Sequence, residues 1–409
     1  MFQVNARRSR RHVVAAVSIF CATSVAAIAD TITVINTNDS GTGSLRQAIA
    51  NASNGDTIEF DSALNGQTIT LTSGELAIDK SLVISGPGAN LLGTSRAQNA
   101  IAFRIFHVMP NHSVTIQGLT ISNGLVQFDA GGGILNETSW LSLRDCRISG
   151  NVTQASGGGV CNCCSKSTLT IERCTLSDNV AGDYGGAISN SGTLNITDST
   201  LSGNTGEFTG GAIINDGALT VSNSTVSGNS TQLHGGGIAN ISGQNTIVNS
   251  TLTGNSGTTA GAIYNRLATL EMKNTVLNAG NSGPNILNDV GTVISHGFNL
   301  SSDDAGGLLI APGDQTDTDP LLGTLQDNGG PTFTHAPLPG SPAIDAGDPK
   351  FTPPPVDDQR GPGFDRVVNG RIDIGSYEVQ PTPTATPMPT STPRPTPTGR
   401  HRPTPLPRP

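Results

Sequence analysis

The chain has 409 residues and a formal net charge of −9, with 13% charged and 4% aromatic residues. An acidic body excludes a nucleic-acid partner, which requires a basic face. Scarce aromatic rings weigh against a groove that cleaves carbohydrate, where rings commonly stack on sugars.

Residues 1–29 read as a secretory leader. A basic stretch from Arg7 to Arg11 precedes an apolar run from Val13 to Ala27, and Ala27-Ile28-Ala29 gives a small-residue exit with cleavage expected after Ala29. Phe20 stands where a lipid-anchor signal at Cys21 needs a small residue, so no lipid is expected there. The mature chain is therefore expected to be secreted or held at the cell surface. No later stretch is long and apolar enough to span a membrane.

Residues 30–113 read as a cap and the first units of the array that follows. Within them, "SLRQAI" is a capping box, with Ser44 at the N-cap and Gln47 three residues on. It predicts a short amphipathic helix, with Leu45 and Ile49 on one face, that covers the open end of the array.

The array, residues 114–285, is a repeat. The frame G-G-[GA]-[IV]-x-N occurs at Gly131, Gly157, Gly185, Gly210 and Gly235, and in degenerate form at Ala260, with offsets of 26, 28, 25, 25 and 25 residues. Each unit then carries short β-branched runs punctuated by Gly, Asn and Ser. A leucine-rich repeat of similar period needs a denser leucine consensus. Three short strands joined by tight corners fit better, and that is one coil of a parallel β-helix, in which coils stack ~4.8 Å apart and none is stable alone.

Stacking predicts columns. Ile134, Val160, Ile188, Ile213, Ile238 and Ile263 are expected in one interior column, and Asn136, Asn162, Asn190, Asn215, Asn240 and Asn265 in a ladder of amides along the axis. A third column holds the small residues Cys146, Cys174, Ser199, Ser224, Ser250 and Thr275. Arg144 is expected over Glu172, and Asp145 over Arg173, as cross-strand charge pairs. Cys146 and Cys174 lie on neighbouring coils at strand spacing, which suits a disulfide if their side chains agree. The "CNCCS" cluster at Cys161, Cys163 and Cys164 lacks the spacing of a metal site.

Residues 286–380 form a C-terminal module, and 381–409 a Pro/Thr-rich tail expected to be disordered, an extended stalk that cannot pack a core. In the module, Asp314, Asp317 and Asp319 are the candidates for calcium, a hard cation that takes oxygen ligands from such loops. No other cofactor is expected. The richest ionisable stretch is Asp357, Asp358, Arg360, Asp365, Arg366, Arg371 and Asp373, where arginine–carboxylate pairing is expected to be structural. His234 and His296 stand alone beside glycine turns. Asp178, Asp198, Asp345 and Asp373 are the strongest single candidates for acid–base work, but no frame position places carboxylates on neighbouring coils. No catalytic residue is assigned.

Two segments resemble known families. "TITVINTNDSGTGSLRQAIANASNGDTIEF", residues 31–60, resembles the CSLREA-type segment of bacterial exported β-helix proteins, with Gly43 where that motif has cysteine. "TDPLLGTLQDNGGPTFTHAPLPGSPAIDAGD" with "DQRGPGFDRVVNGRIDIGSYEV", within residues 318–379, is similar to the choice-of-anchor Q domain. The resemblance implies an all-β, right-handed parallel β-helix of the pectin-lyase type, exported and surface-associated, and implies no reaction. The expected function is a non-catalytic surface scaffold or adhesin. It is expected to be a monomer, meeting a cell-surface polysaccharide or a host or neighbouring cell. The alternative is a polysaccharide lyase or glycoside hydrolase on the same solenoid.

Overall fold

A computed structural model describes residues 29–381. The expected leader and tail lie outside the described residues, apart from Ala29 and Pro381 at their inner edges. The coil at residues 213–231 shows the plan: strands Ile213–Asn215, Ala218–Ser222 and Thr225–Ser227, then the short Ser230–Thr231. Equivalent strands of successive coils pair in parallel and build sheets of nine, eleven, ten and five strands. Alternation sets which side chains turn inward. In Thr193–Thr197, Leu194 and Ile196 are buried while Thr193, Asn195 and Thr197 face outward.

The interior isoleucine column forms as expected. Ile134, Val160, Ile188, Ile213, Ile238 and Ile263 are in register coil by coil, and all are fully buried. The solenoid also runs beyond the regular repeats. It begins with Thr31–Val34 on Thr57–Phe60 and ends with Leu300–Ser301 on the coil before. Over its first coils lies the helix Leu45–Asn51, which buries Leu45, Ala48 and Ile49 in the same core. Ser44 Oγ accepts the Gln47 N–H as a cap should, but the Gln47 side chain turns to Asn51 instead, so only half of the capping box is made.

Two kinds of corner close each coil. One uses a left-handed residue: Asp145, Arg173, Asp198, Asn223, Asn249 and Asn274 have φ between 48° and 51°. Asp and Asn tolerate this region because their short polar groups bond locally. The other uses the frame glycines. Gly210 has φ 70°, and a Cβ on Gly211 would come within 2.2 Å of the Gly236 carbonyl oxygen in the next coil.

Buried amides run along the axis in two ladders. In the expected one, Asn136 donates to Asn162, Asn162 to Asn190 and Asn190 to Asn215, at 2.6–2.7 Å. Asn215 then bonds Asn245, whose amide enters the column held by leucine in neighbouring coils, and Asn240 is bypassed. Asn265 resumes the ladder with Asn288. The second, Asn151, Asn179, Asn204, Asn229 and Asn255, is built from the residue that closes each S-G-N, S-D-N or T-G-N triplet. There each side-chain oxygen also accepts the backbone N–H of the preceding ladder residue.

The expected Cys146–Cys174 disulfide is not formed; both are buried free thiols. They occupy the column of Ser199, Ser224 and Ser250, where each side chain accepts the backbone N–H of the equivalent residue one coil earlier. Side chains in such a column point the same way, whereas a disulfide needs converging Cβ atoms. The disulfide in this region joins Cys161 and Cys163. The charge pairs do form: Arg144 meets Glu172 at 3.4 Å, and Arg173 meets both Asp145, at 2.8 Å, and Glu172.

Beyond Ser301 the chain forms turns and isolated bridges, and it folds back along the outer face of the ten-stranded sheet. That face offers a column of hydroxyls. Thr200 donates to the Phe333 carbonyl, Thr225 to Gln359 Oε1, and Thr251 accepts the Ser376 N–H. Gln359, fully buried, donates in turn to Thr200 and Thr332. Lys273 and Asp348 close the contact with a 2.7 Å ion pair.

Candidate functional site

The ionisable groups that could do chemistry gather in three places. The first is on the outer face of the early coils. His107, in the strand Phe106–Val108, sits between two carboxylates from the coils before and after: its Nδ1 is 2.9 Å from Glu75 and its Nε2 3.4 Å from Glu137. Arg104 bridges Glu75, at 3.4 Å, and Asp129. The Glu75 hydrogen bond raises the His107 pKa, and the same bond lowers that of Glu75. Parallel register therefore puts carboxylates two coils apart on either side of a histidine, an arrangement outside the frame positions, which still place no carboxylates on neighbouring coils. These acids lie where the spacing is irregular, Glu75 and His107 being 32 residues apart.

The second place is the left-handed corner at Asp198. Its carboxylate accepts the Asn223 amide at 2.6 Å, and the fold-back segment covers it, with Thr332 donating to the Asp198 carbonyl. Burial pushes its pKa up to about 6, and the nearby Glu172 and Asp358 charges add to that. Asp178 occupies another left-handed corner and is exposed.

The third is inside the C-terminal module, where carboxylate oxygens of Asp345, Asp373 and Glu378 lie within 4.8 Å of one another. Two of the three spend their carboxylates on backbone, while Asp345 meets the Asn369 amide at 3.5 Å. Asp373 accepts the N–H groups of Asp345 and Val379, and Glu378 those of Val368 and Asp373. Burial pushes Glu378 up to about 8 and raises Asp373 also. The arginines of the stretch serve the same loops. Arg360 pairs with Asp358 at 2.6 Å between the rings of Phe364 and Tyr377, Arg366 donates to the Asp373 and Gly375 carbonyls, and Arg371 to those of Ala346 and Gly347.

The calcium candidates do not converge. Asp314 spends its carboxylate on Ser295, Asn299 and the Ala311 N–H, Asp319 accepts the Leu321 N–H, and Asp317 occupies a left-handed turn. These aspartates shape successive turns, so their oxygens face different loops. Among the described residues, the Asp345, Asp373 and Glu378 group alone has three carboxylates at metal-ligand spacing. Of the two lone histidines, His296 pairs with Glu271 at 3.0 Å and His234 stacks on Tyr264. No helix among the described residues is long and apolar enough to cross a membrane.

Residues 80–226 match the family model described as a right handed beta helix region, a span that runs from the early coils into the regular array. The chain is a right-handed parallel β-helix protein. A search of curated proteins gives no match. The β-helix fold is compatible with both a surface scaffold and a pectin-lyase-like enzyme, and by itself it selects neither.

Proposed function

We propose that this β-helix is an exported, surface-associated scaffold of the adhesin type, without catalytic activity. The observation that carries this reading is how the candidate carboxylates are used. Asp373 and Glu378 each accept two backbone N–H groups, and the half-buried Asp198 gives its carboxylate to the Asn223 amide beside the fold-back segment. A general acid or base must reach a substrate proton, and these groups hold loops in place. Export is supported by the basic and apolar segments at Arg7–Arg11 and Val13–Ala27. The likeness of residues 318–379 to the choice-of-anchor Q domain supports a surface location.

A second reading, a polysaccharide lyase or glycoside hydrolase, is favoured by Glu75 and Glu137 on opposite nitrogens of His107. That arrangement puts two carboxylates and a titratable imidazole on one outer face. Incubating the purified protein with acidic and neutral polysaccharides, and following chain length by size-exclusion chromatography, separates the two. Unchanged chain length is expected. Depolymerisation that disappears in Glu75→Gln or Glu137→Gln would replace the scaffold with the enzyme.

A further inference from the structure

The outer face of the nine-stranded sheet carries a cleft of about 620 Å³ that the scaffold reading leaves without a role. Two of the chain's three tyrosines come together there, Tyr184 on its wall and Tyr264 on its floor. Tyr184, Thr209 and His234 pair in parallel from coil to coil, so the aromatic wall climbs along the solenoid axis. Phe208 extends it, with its ring 6.3 Å from that of Tyr184, and both rings are substantially exposed. His234 lies flat on Tyr264 at 4.6 Å, which fixes the imidazole as a platform.

The opposite wall is polar. Asp216 follows the ladder residue of one coil and is exposed, and its carboxylate takes no hydrogen bond from the described residues. Three coils further on, Asp289 accepts the Tyr264 hydroxyl at 2.8 Å and stands 4.0 Å from Arg266.

We infer that this cleft binds a neutral glycan chain lying along the solenoid axis; the inference rests on the scaffold reading and names its ligand class. A pyranose presents an apolar C–H face and a rim of hydroxyls. The C–H face suits the negative face of an aromatic ring, and the hydroxyls are donors for carboxylates. Coils rise by ~4.8 Å, on the order of one sugar unit, so a chain running along the axis meets an equivalent wall position at each step. Two carboxylates against one arginine repel uronate or sulfate groups, which selects neutral over acidic chains. Sparse aromatics argued against such a groove from composition, but composition does not show that the tyrosines converge.

The test is affinity electrophoresis of the full chain through gels containing xylan, mixed-linkage β-glucan, galactomannan or polygalacturonate. Tyr184→Ala and Asp216→Asn are run beside the wild type, with thermal melts to verify folding. Retardation on at least one neutral polysaccharide is expected, weakened about tenfold in each variant, with none on polygalacturonate. No retardation on any neutral chain, retardation unchanged in both variants, or stronger retardation on polygalacturonate would each overturn the cleft. Loss of polysaccharide chain length on incubation would refute the non-catalytic reading instead, whichever way retardation falls.

Discussion

Asn215 donates through Nδ2 to Asn245 Oδ1 at 2.6 Å, although the residue in register with it on the next coil is Asn240. Asn245 sits where Leu219 and Leu270 stand in adjacent coils. Asn240 is fully buried, and neither of its side-chain polar atoms has a partner. Replacing Asn245 with Leu restores the apolar column and returns Asn215 to Asn240. An unsatisfied buried polar group costs about 1–3 kcal/mol, so Asn245→Leu should raise the melting temperature by a few degrees. A clear drop in the melt, read by circular dichroism, would contradict this account of the ladder.

Ile213 lies in the middle of the interior column with Ile188 and Ile238 as register neighbours. Ile213→Asp places a carboxylate there with no partner, and such a charge is severely penalised. A loss above about 4 kcal/mol, or failure to accumulate folded protein, is expected. Near-wild-type chemical denaturation would show that the column does not carry the stack.

The pH dependence follows from Glu378 and Asp198, whose carboxyls are raised to about 8 and about 6 by burial. The folded state holds these protons more tightly than the unfolded chain. Their contribution is therefore full below the ordinary carboxyl range and is lost as pH rises through the folded values. His107, raised by its Glu75 bond, acts in the same direction above its ordinary value. The melting temperature should fall from about pH 5 to pH 8, and Glu378→Gln should flatten the upper part of that fall. An identical slope in the variant would remove Glu378 as its source.

Among the described cysteines, Cys146 and Cys174 are buried thiols and Cys164 is partly exposed. Burial pushes the Cys174 thiol well above its ordinary value, which suppresses the reactive thiolate. An aromatic disulfide reagent should modify Cys164 quickly in the native protein, and Cys146 and Cys174 only after denaturation. Mass spectrometry that finds Cys146 bonded to Cys174 would reinstate the bridge.

The repeat was legible because its period is close to constant and its residues recur by kind. The interior aliphatic column and the Asp145–Arg173 and Arg144–Glu172 pairs could be read from frame positions alone, whereas the second contact of Arg173, to Glu172, could not. The second amide ladder was visible as a closing triplet, yet an asparagine that makes a turn and one that bonds the next coil have the same local sequence. Asn245 was illegible because one polar residue at an apolar position looks like variation until its partner is known. Glu75, His107 and Glu137 meet across irregular coils, and no fixed offset points to them. Tyr184 and His234 lie in corner segments, where the repeat constrains backbone more than side chain. The fold-back of Gln359 onto Thr200 and Thr225 joins aperiodic loops to a distant strand face, and only the packed chain reveals it.

That fold-back also sets an order of assembly. Coils that touch only their neighbours can form one after another as the chain becomes available. The Thr200–Phe333 and Ser199–Gln359 bonds instead span 133 and 160 residues, so they carry the closure cost of a long loop and come late. Until then the waiting solenoid shows solvent a row of threonine and serine hydroxyls along that flank. An unfinished molecule keeps that stretch of its flank hydrated, and only the end near Val276 and Leu300 has hydrocarbon to offer another chain.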